Sequence, residues 1–301
     1  MSFFNNFSQG ISIGFQCMGY VLHYPTLLIF TAIPAFFNTF FVVSVFNTLL
    51  RYTNVIDAIR ESHAQNHPIV QIHGKFPHSF IALIYVFIIT RILSTLFTAA
   101  LQYYIKETLD NENPSMMRSL GNALSHVFSL LIWGFVSLGA GIFIGILSGN
   151  RPNQGPSLGS SIVSSTLRTA WSLATTFVIP FIIFSNQNVF SAMYSSYEVV
   201  KNNFSQNTGA LLAIVGMKRA INSVIFLLCL PAAAMIYYSV ADSGQLSDTT
   251  IYNYIMTAVA LIAIPNLIAF PFKHAANNIL AVVLYNHSQN KNVGQFGSLF
   301  Q

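Results

Sequence analysis

Residues Pro25 to Leu50 read PTLLIFTAIPAFFNTFFVVSVFNTLL, with no Lys, Arg, Asp or Glu among them. At 1.5 Å per residue a helix of this length reaches about 39 Å, more than the roughly 30 Å of a bilayer's hydrocarbon core. Outward from this stretch the pattern holds. No fixed charge precedes Arg51 and no acid precedes Asp57. Over all 301 residues only 7% are charged, against about one in four in a soluble domain, and the mean hydropathy is +0.58. Lipid is the solvent this sequence is built for.

The charges that do occur, 13 basic and 8 acidic for a net +5, sit mainly between the apolar runs. That placement suits an anionic leaflet, and the chain lacks the dense Lys/Arg clusters of a nucleic-acid binder. Cys17 and Cys229 are the only cysteines; both lie in apolar surroundings, so neither a disulfide nor a thiolate metal site is expected. The opening MSFFNNFSQG has no basic region and no small-residue cleavage site, so the first membrane segment is expected to serve as an uncleaved insertion signal. No linker divides the chain, so residues 1–301 read as one transmembrane domain.

Six spans follow from the apolar runs: about 25–49, 80–105, 119–148, 162–184, 220–240 and 251–272. Residues 7–22 are apolar but Gly-punctuated and too short to cross, and 188–204 are amphipathic, with Phe190, Met193, Tyr194, Tyr197, Val200 and Phe204 at helical spacing. Both read as interfacial helices. Residues 208–217 either lie at the interface or extend the fifth helix, and the apolar run 275–285 is too short to cross. Strand alternation is absent, so helices are the crossing element. The expected fold is therefore all-α, a polytopic bundle of about six transmembrane helices plus interfacial amphipathic helices. Counting Lys106, Arg118, Lys201, Lys218, Arg219, Lys273 and Lys291 on one side against Arg51, Arg60, Lys75, Arg151 and Arg168 on the other places both termini in the cytoplasm.

Arg91 carries the largest energetic risk, because an arginine facing lipid at mid-membrane costs from about 2.5 to more than 10 kcal/mol. Ser94, Thr95, Thr98 and Gln102 follow it at offsets that share one helical face. Either this stripe lines a wet vestibule that attracts anions, or it packs against neighbouring helices with the guanidinium capped by carbonyls; in both readings Arg91 faces the bundle interior. A second stripe holds Asn122, His126, Ser129, Trp133 and Ser137, in which His126 is either a proton-transfer group or an ordinary hydrogen-bonded histidine. Ser137, Gly141, Gly145 and Gly149 form a small-xxx-small ladder, the pattern of close helix packing. A third stripe starts at Arg168, with Ser172 and Thr175. Pro180, Pro231, Pro265 and Pro271 are expected helix breaks, which transporters use to form binding sites. His63, His67, His73 and His78 crowd one polar loop, where Pro68 and Pro77 argue for a solvated segment over a metal site.

No Asp or Glu lies inside any expected span, so the usual carboxylate relay of ion-coupled carriers is missing. No phosphate-binding loop, zincin motif, nucleophile elbow or spaced cysteine set occurs. Metal and cofactor are accordingly expected to be none. Three function classes follow in order: a membrane scaffold or assembly partner, a carrier or channel for a small anionic solute or lipid, and an intramembrane enzyme last. The expected partners are the lipid bilayer and either a membrane protein or a second copy of the chain, with no nucleic acid.

Residues 94–127, STLFTAALQYYIKETLDNENPSMMRSLGNALSHV, join a small-residue helix end to a small-residue helix start through a Pro-Ser loop. TAWSLATTFVIPFIIF (169–184) presents the frame Trp171, Thr175, Phe177 and Pro180 ahead of the amphipathic VFSAMYSSYEVVKNNF (189–204). With the closing AVVLYNHSQNKNVGQFGSLF (281–300), these segments resemble a bacterial family of uncharacterised multi-pass membrane proteins. The resemblance covers most of the chain from residue 10, except the His-rich 51–78. It implies a six-helix topology in the cytoplasmic (inner) membrane and carries no substrate.

Overall fold

The computed structural model describes residues 3–52, 78–110, 112–147, 166–167, 169–241 and 248–300. These are helical almost throughout, and no strand occurs among them. In chain order the helices are α1 (Phe3–His23), α2 (Thr26–Tyr52), α3 (His78–Leu109), α4 (Met116–Ser125), α5 (Val127–Leu147), α6 (Val178–Ser185), α7 (Val189–Asn202), α8 (Phe204–Ala241) and α9 (Asp248–Ser288), then a 3-10 turn at Gly294–Leu299. Further helical turns at 169–174 precede α6. Among the described residues, five stretches are long and apolar enough to cross a membrane: Thr26–Val45, Ile84–Leu109, Val127–Ile146, Phe204–Pro231 and Ala263–Ser288. The chain is an all-α, polytopic integral membrane protein.

The helix breaks fall elsewhere than expected. The run read as a fourth span, 162–184, is helical at 169–174, turns at 175–177 and resumes as α6. Pro180 is the third residue of α6, a position whose N–H has no intrahelical acceptor, so the break lies ahead of it and the proline is tolerated. Pro231, Pro265 and Pro271 do not break their helices: α8 and α9 continue through them. In hydrocarbon an interrupted helix exposes more unsatisfied backbone than one missing N–H does, which favours continuation. The run 119–148 is divided instead at His126, the residue between α4 and α5, whose N–H reaches back to the Ala123 carbonyl at 3.2 Å. Residues 208–217 extend the run expected as the fifth span, so Lys218 and Arg219 lie inside α8 and not in a loop.

The chain folds as two compact units. Unit 1 comprises Met1–Thr31, Arg91–Gly216 and Phe272–Gln301. Its centre is the end of α9. Because α9 passes Pro271 unbroken, the run judged too short to cross becomes the most enclosed helix of the unit, with Ile279, Val282, Val283 and Tyr285 fully buried. A helix apolar on every side belongs at a core, and Ile13, Leu101, Ile105, Phe177 and Ile182 are equally buried in this unit. The α3–α4 turn closes on Glu107, whose Oε2 accepts from the Ser115 N–H at 3.1 Å while Oε1 lies 3.4 Å from Arg118 Nη1. Glu107 is thus a buried acid in the last turn of α3, where the sequence suggests a loop.

Unit 2 comprises Ala32–Thr90 and Met217–Pro271. Phe41 and Phe87 bring α2 and α3 together with ring centroids 5.3 Å apart, and Lys218 Nζ of α8 donates to Asn266 Oδ1 of α9 at 3.0 Å.

Candidate functional site

Small residues in unit 1 meet two fates. On α1, Gly10 and Gly14 face α8 so closely that an added Cβ would strike the Gln206 and Ala210 carbonyl oxygens, and one on Gly209 would strike that of Phe7. The backbones touch here because no side chain intervenes, the arrangement that Gly and Ala permit between membrane helices. Side chains lock the crossing: Gln206 Nε2 donates to Gln9 Oε1 at 2.6 Å, and Gln9 Nε2 donates to the Leu299 carbonyl. Cys17 and Tyr20, further along α1, are buried. Burial pushes the Cys17 thiol well above its ordinary range. The Tyr20 hydroxyl is raised first by burial and then by the neighbouring Tyr24 and Tyr104.

On α5 the opposite holds. Leu130, Trp133 and Ile144 are buried, whereas Gly141 and Gly145 are exposed and an added Cβ on either meets nothing within 4 Å. Helical geometry explains the divergence. Each four-residue step advances about 40° beyond a full turn at 100° per residue, so Gly141 and Gly145 point roughly 80° and 120° away from Trp133. The stripe leaves the core as it climbs. Ser137, nearest Trp133, is half-buried. Gly149 lies outside the described residues.

Arg91, expected to face inward, is exposed. Half-buried Ser94 leads a run of local bonds: Thr95 Oγ1 donates to the Arg91 carbonyl at 3.0 Å and Thr98 Oγ1 to that of Ser94 at 2.7 Å. The inner end crosses to another helix. Thr98 Oγ1 sits 3.0 Å from His274 Nε2, and Gln102 Nε2 donates to Asn278 Oδ1 at 2.7 Å. Both pairs repeat at four residues, so α3 and α9 share a two-rung polar ladder. Gln102 Oε1 is buried without a hydrogen-bond partner.

His126 joins the α4–α5 break to the α6–α7 turn, its Nε2 lying 2.7 Å from Asn186 Oδ1. Asn186, which adopts the left-handed conformation at φ 51°, ends α6. The break at 175–177 is repaired from α7: Ser196 Oγ accepts from the Phe177 N–H at 3.1 Å and donates to the Ala174 carbonyl at 2.6 Å. Trp133 and Trp171 stack beside it with centroids 6.4 Å apart. α7 therefore packs through Val189, Ala192, Ser196, Val199 and Val200, while Phe190, Tyr194, Tyr197 and Phe204 remain exposed. The aromatic stripe faces outward, as at a membrane interface.

Arg168, His63, His67 and His73 lie outside the described residues, and His78 opens α3. Among the described residues, no three His, Cys, Asp or Glu side chains come together to hold a metal. Sequence reasoning missed Glu107, Ser196, His274 and Asn278. The ladder left one trace in the sequence, since His274 and Asn278 repeat the four-residue spacing of Thr98 and Gln102. No protein-family model, curated protein or solved structure matches the chain.

Proposed function

We propose that this integral membrane protein is a membrane scaffold, α5 serving as the surface that receives another transmembrane helix. The observation that carries the reading is the uncovered pair Gly141 and Gly145 beside half-buried Ser137. Helices already in lipid gain nothing from hydrophobicity when they associate; close backbone approach and van der Waals packing drive them together. Glycines at four-residue spacing provide that approach, and exposed Ile142 and Ile146 form a ridge along one side of the groove. The carrier reading draws on Arg91 and on proline-broken helices; α8 and α9 continue through their prolines, which favours the scaffold reading. The bacterial inner-membrane setting, the cytoplasmic termini and the family resemblance belong to this same proposal.

Native gels of mildly solubilised membranes test it. The parent is expected to migrate as a discrete complex, with a second copy or another polypeptide, and Gly141→Leu to migrate as the single chain. A parent that already runs as the single chain overturns the proposal.

A further inference from the structure

Unit 2 holds a cavity of about 370 Å³ between α2 and α9, within the range of small-molecule sites. Val42, Val259, Leu267 and Phe270 make its walls apolar, and Asn38 and Asn266 supply polar points. Along α9 the lining runs from Val259 to Phe270, roughly 17 Å of helix, which makes the space elongated. Asn266 Oδ1 is where Lys218 Nζ docks, and Asn222 Nδ2 approaches the same oxygen at 3.4 Å. A cation has thus been drawn to the polar edge of an apolar slot.

Nothing in the described part of unit 2 neutralises it. Asp248 is the only acid there, at the start of α9 and eighteen residues before Asn266, roughly 27 Å along the helix. Lysine within an apolar helix is expensive, and such residues mark binding sites by default. Charge complementarity with Lys218 suits an anion at this polar edge, and the slot suits an alkyl chain behind that anion. We propose that this cavity binds an anionic amphiphile, with one acyl chain between α2 and α9 and the acidic head on Lys218. A free fatty acid and an anionic phospholipid share this chemistry.

Spin-labelled stearic acid, its neutral methyl ester, and spin-labelled phosphatidylglycerol and phosphatidylcholine are the probes, each added to the full chain in phosphatidylcholine nanodiscs. The expected spectrum shows a motionally restricted fraction with about tenfold preference for an acidic probe over its neutral counterpart. Preference for stearic acid alone identifies a fatty-acid site, and preference for phosphatidylglycerol identifies a phospholipid site. Lys218→Gln should reduce the acidic probe to the level of the neutral one, since glutamine keeps a donor for Asn266 but loses the charge. Ala263→Trp should fill the slot and remove the selective fraction; Val259→Trp replaces it if that variant fails to fold as the parent does. Equal restriction of acidic and neutral probes, or selectivity that survives Lys218→Gln or the tryptophan, overturns the proposal.

Discussion

Gly10 and Gly14 on α1 repeat at four residues, as do Ser137, Gly141 and Gly145 on α5, yet the first pair is jammed against α8 and the second stripe opens outward. The difference lies in what surrounds each. The four-residue step from Gly10 to Gly14 stays among Ile13, Cys17 and Val21, all buried. Three such steps from Trp133 to Gly145 accumulate about 120° and carry the stripe off the core. Spacing permits close approach; the rotation of the stripe against the buried face decides who approaches.

The largest effect should come from breaking the closed crossing. Gly10→Val places branched carbons on the Gln206 carbonyl, and overpacking against backbone is expected to cost about 3 kcal/mol, read as a lower thermal midpoint in detergent. Cys17 reports the same event. Its raised pKa suppresses the reactive thiolate, so maleimide labelling at about pH 9 should be slow in the parent and fast in Gly10→Val.

Ser196→Ala comes next. It strands the Phe177 N–H and the Ala174 carbonyl inside unit 1, at about 1–3 kcal/mol. Cys17 should stay protected in this variant, which separates a local break from loss of the α1–α8 crossing. Within the α3–α9 ladder, Gln102→Leu or Asn278→Leu alone should cost about 1 kcal/mol, and the double variant less than the sum, because no orphaned partner is left. Thermal midpoints of all three variants give the coupling. Smallest of all is Gly141→Leu, which fills open space and should shift the midpoint of the isolated chain by less than about 0.5 kcal/mol.

Much of the fold is legible in composition. The uncharged run Pro25–Leu50 and its counterparts declare membrane helices because lipid allows no other crossing element for such runs. The breaks are not legible. Proline at 231, 265 and 271 reads as punctuation, but the cost of opening a helix in lipid exceeds that of one missing N–H. The true break at 175–177 depends on Ser196, some twenty residues away, whose hydroxyl no local pattern reveals. Cost alone encloses Arg91, whereas its side chain is exposed. Position along a helix is visible in a sequence, but which side meets solvent or lipid depends on tertiary packing. The α5 ladder is readable as small-xxx-small, and only the structure distinguishes it from the ladder already filled.

The most direct test of that distinction is photo-crosslinking in native membranes from Leu138, which lies on helical geometry between the directions of Gly145 and Ile142. A diazirine-bearing amino acid at this position is expected to yield a discrete protein adduct, either a doubled chain or one heavier partner, that disappears with Gly141→Leu. Adducts to lipid alone, unchanged by Gly141→Leu, would contradict the claim that this face is built to receive another helix.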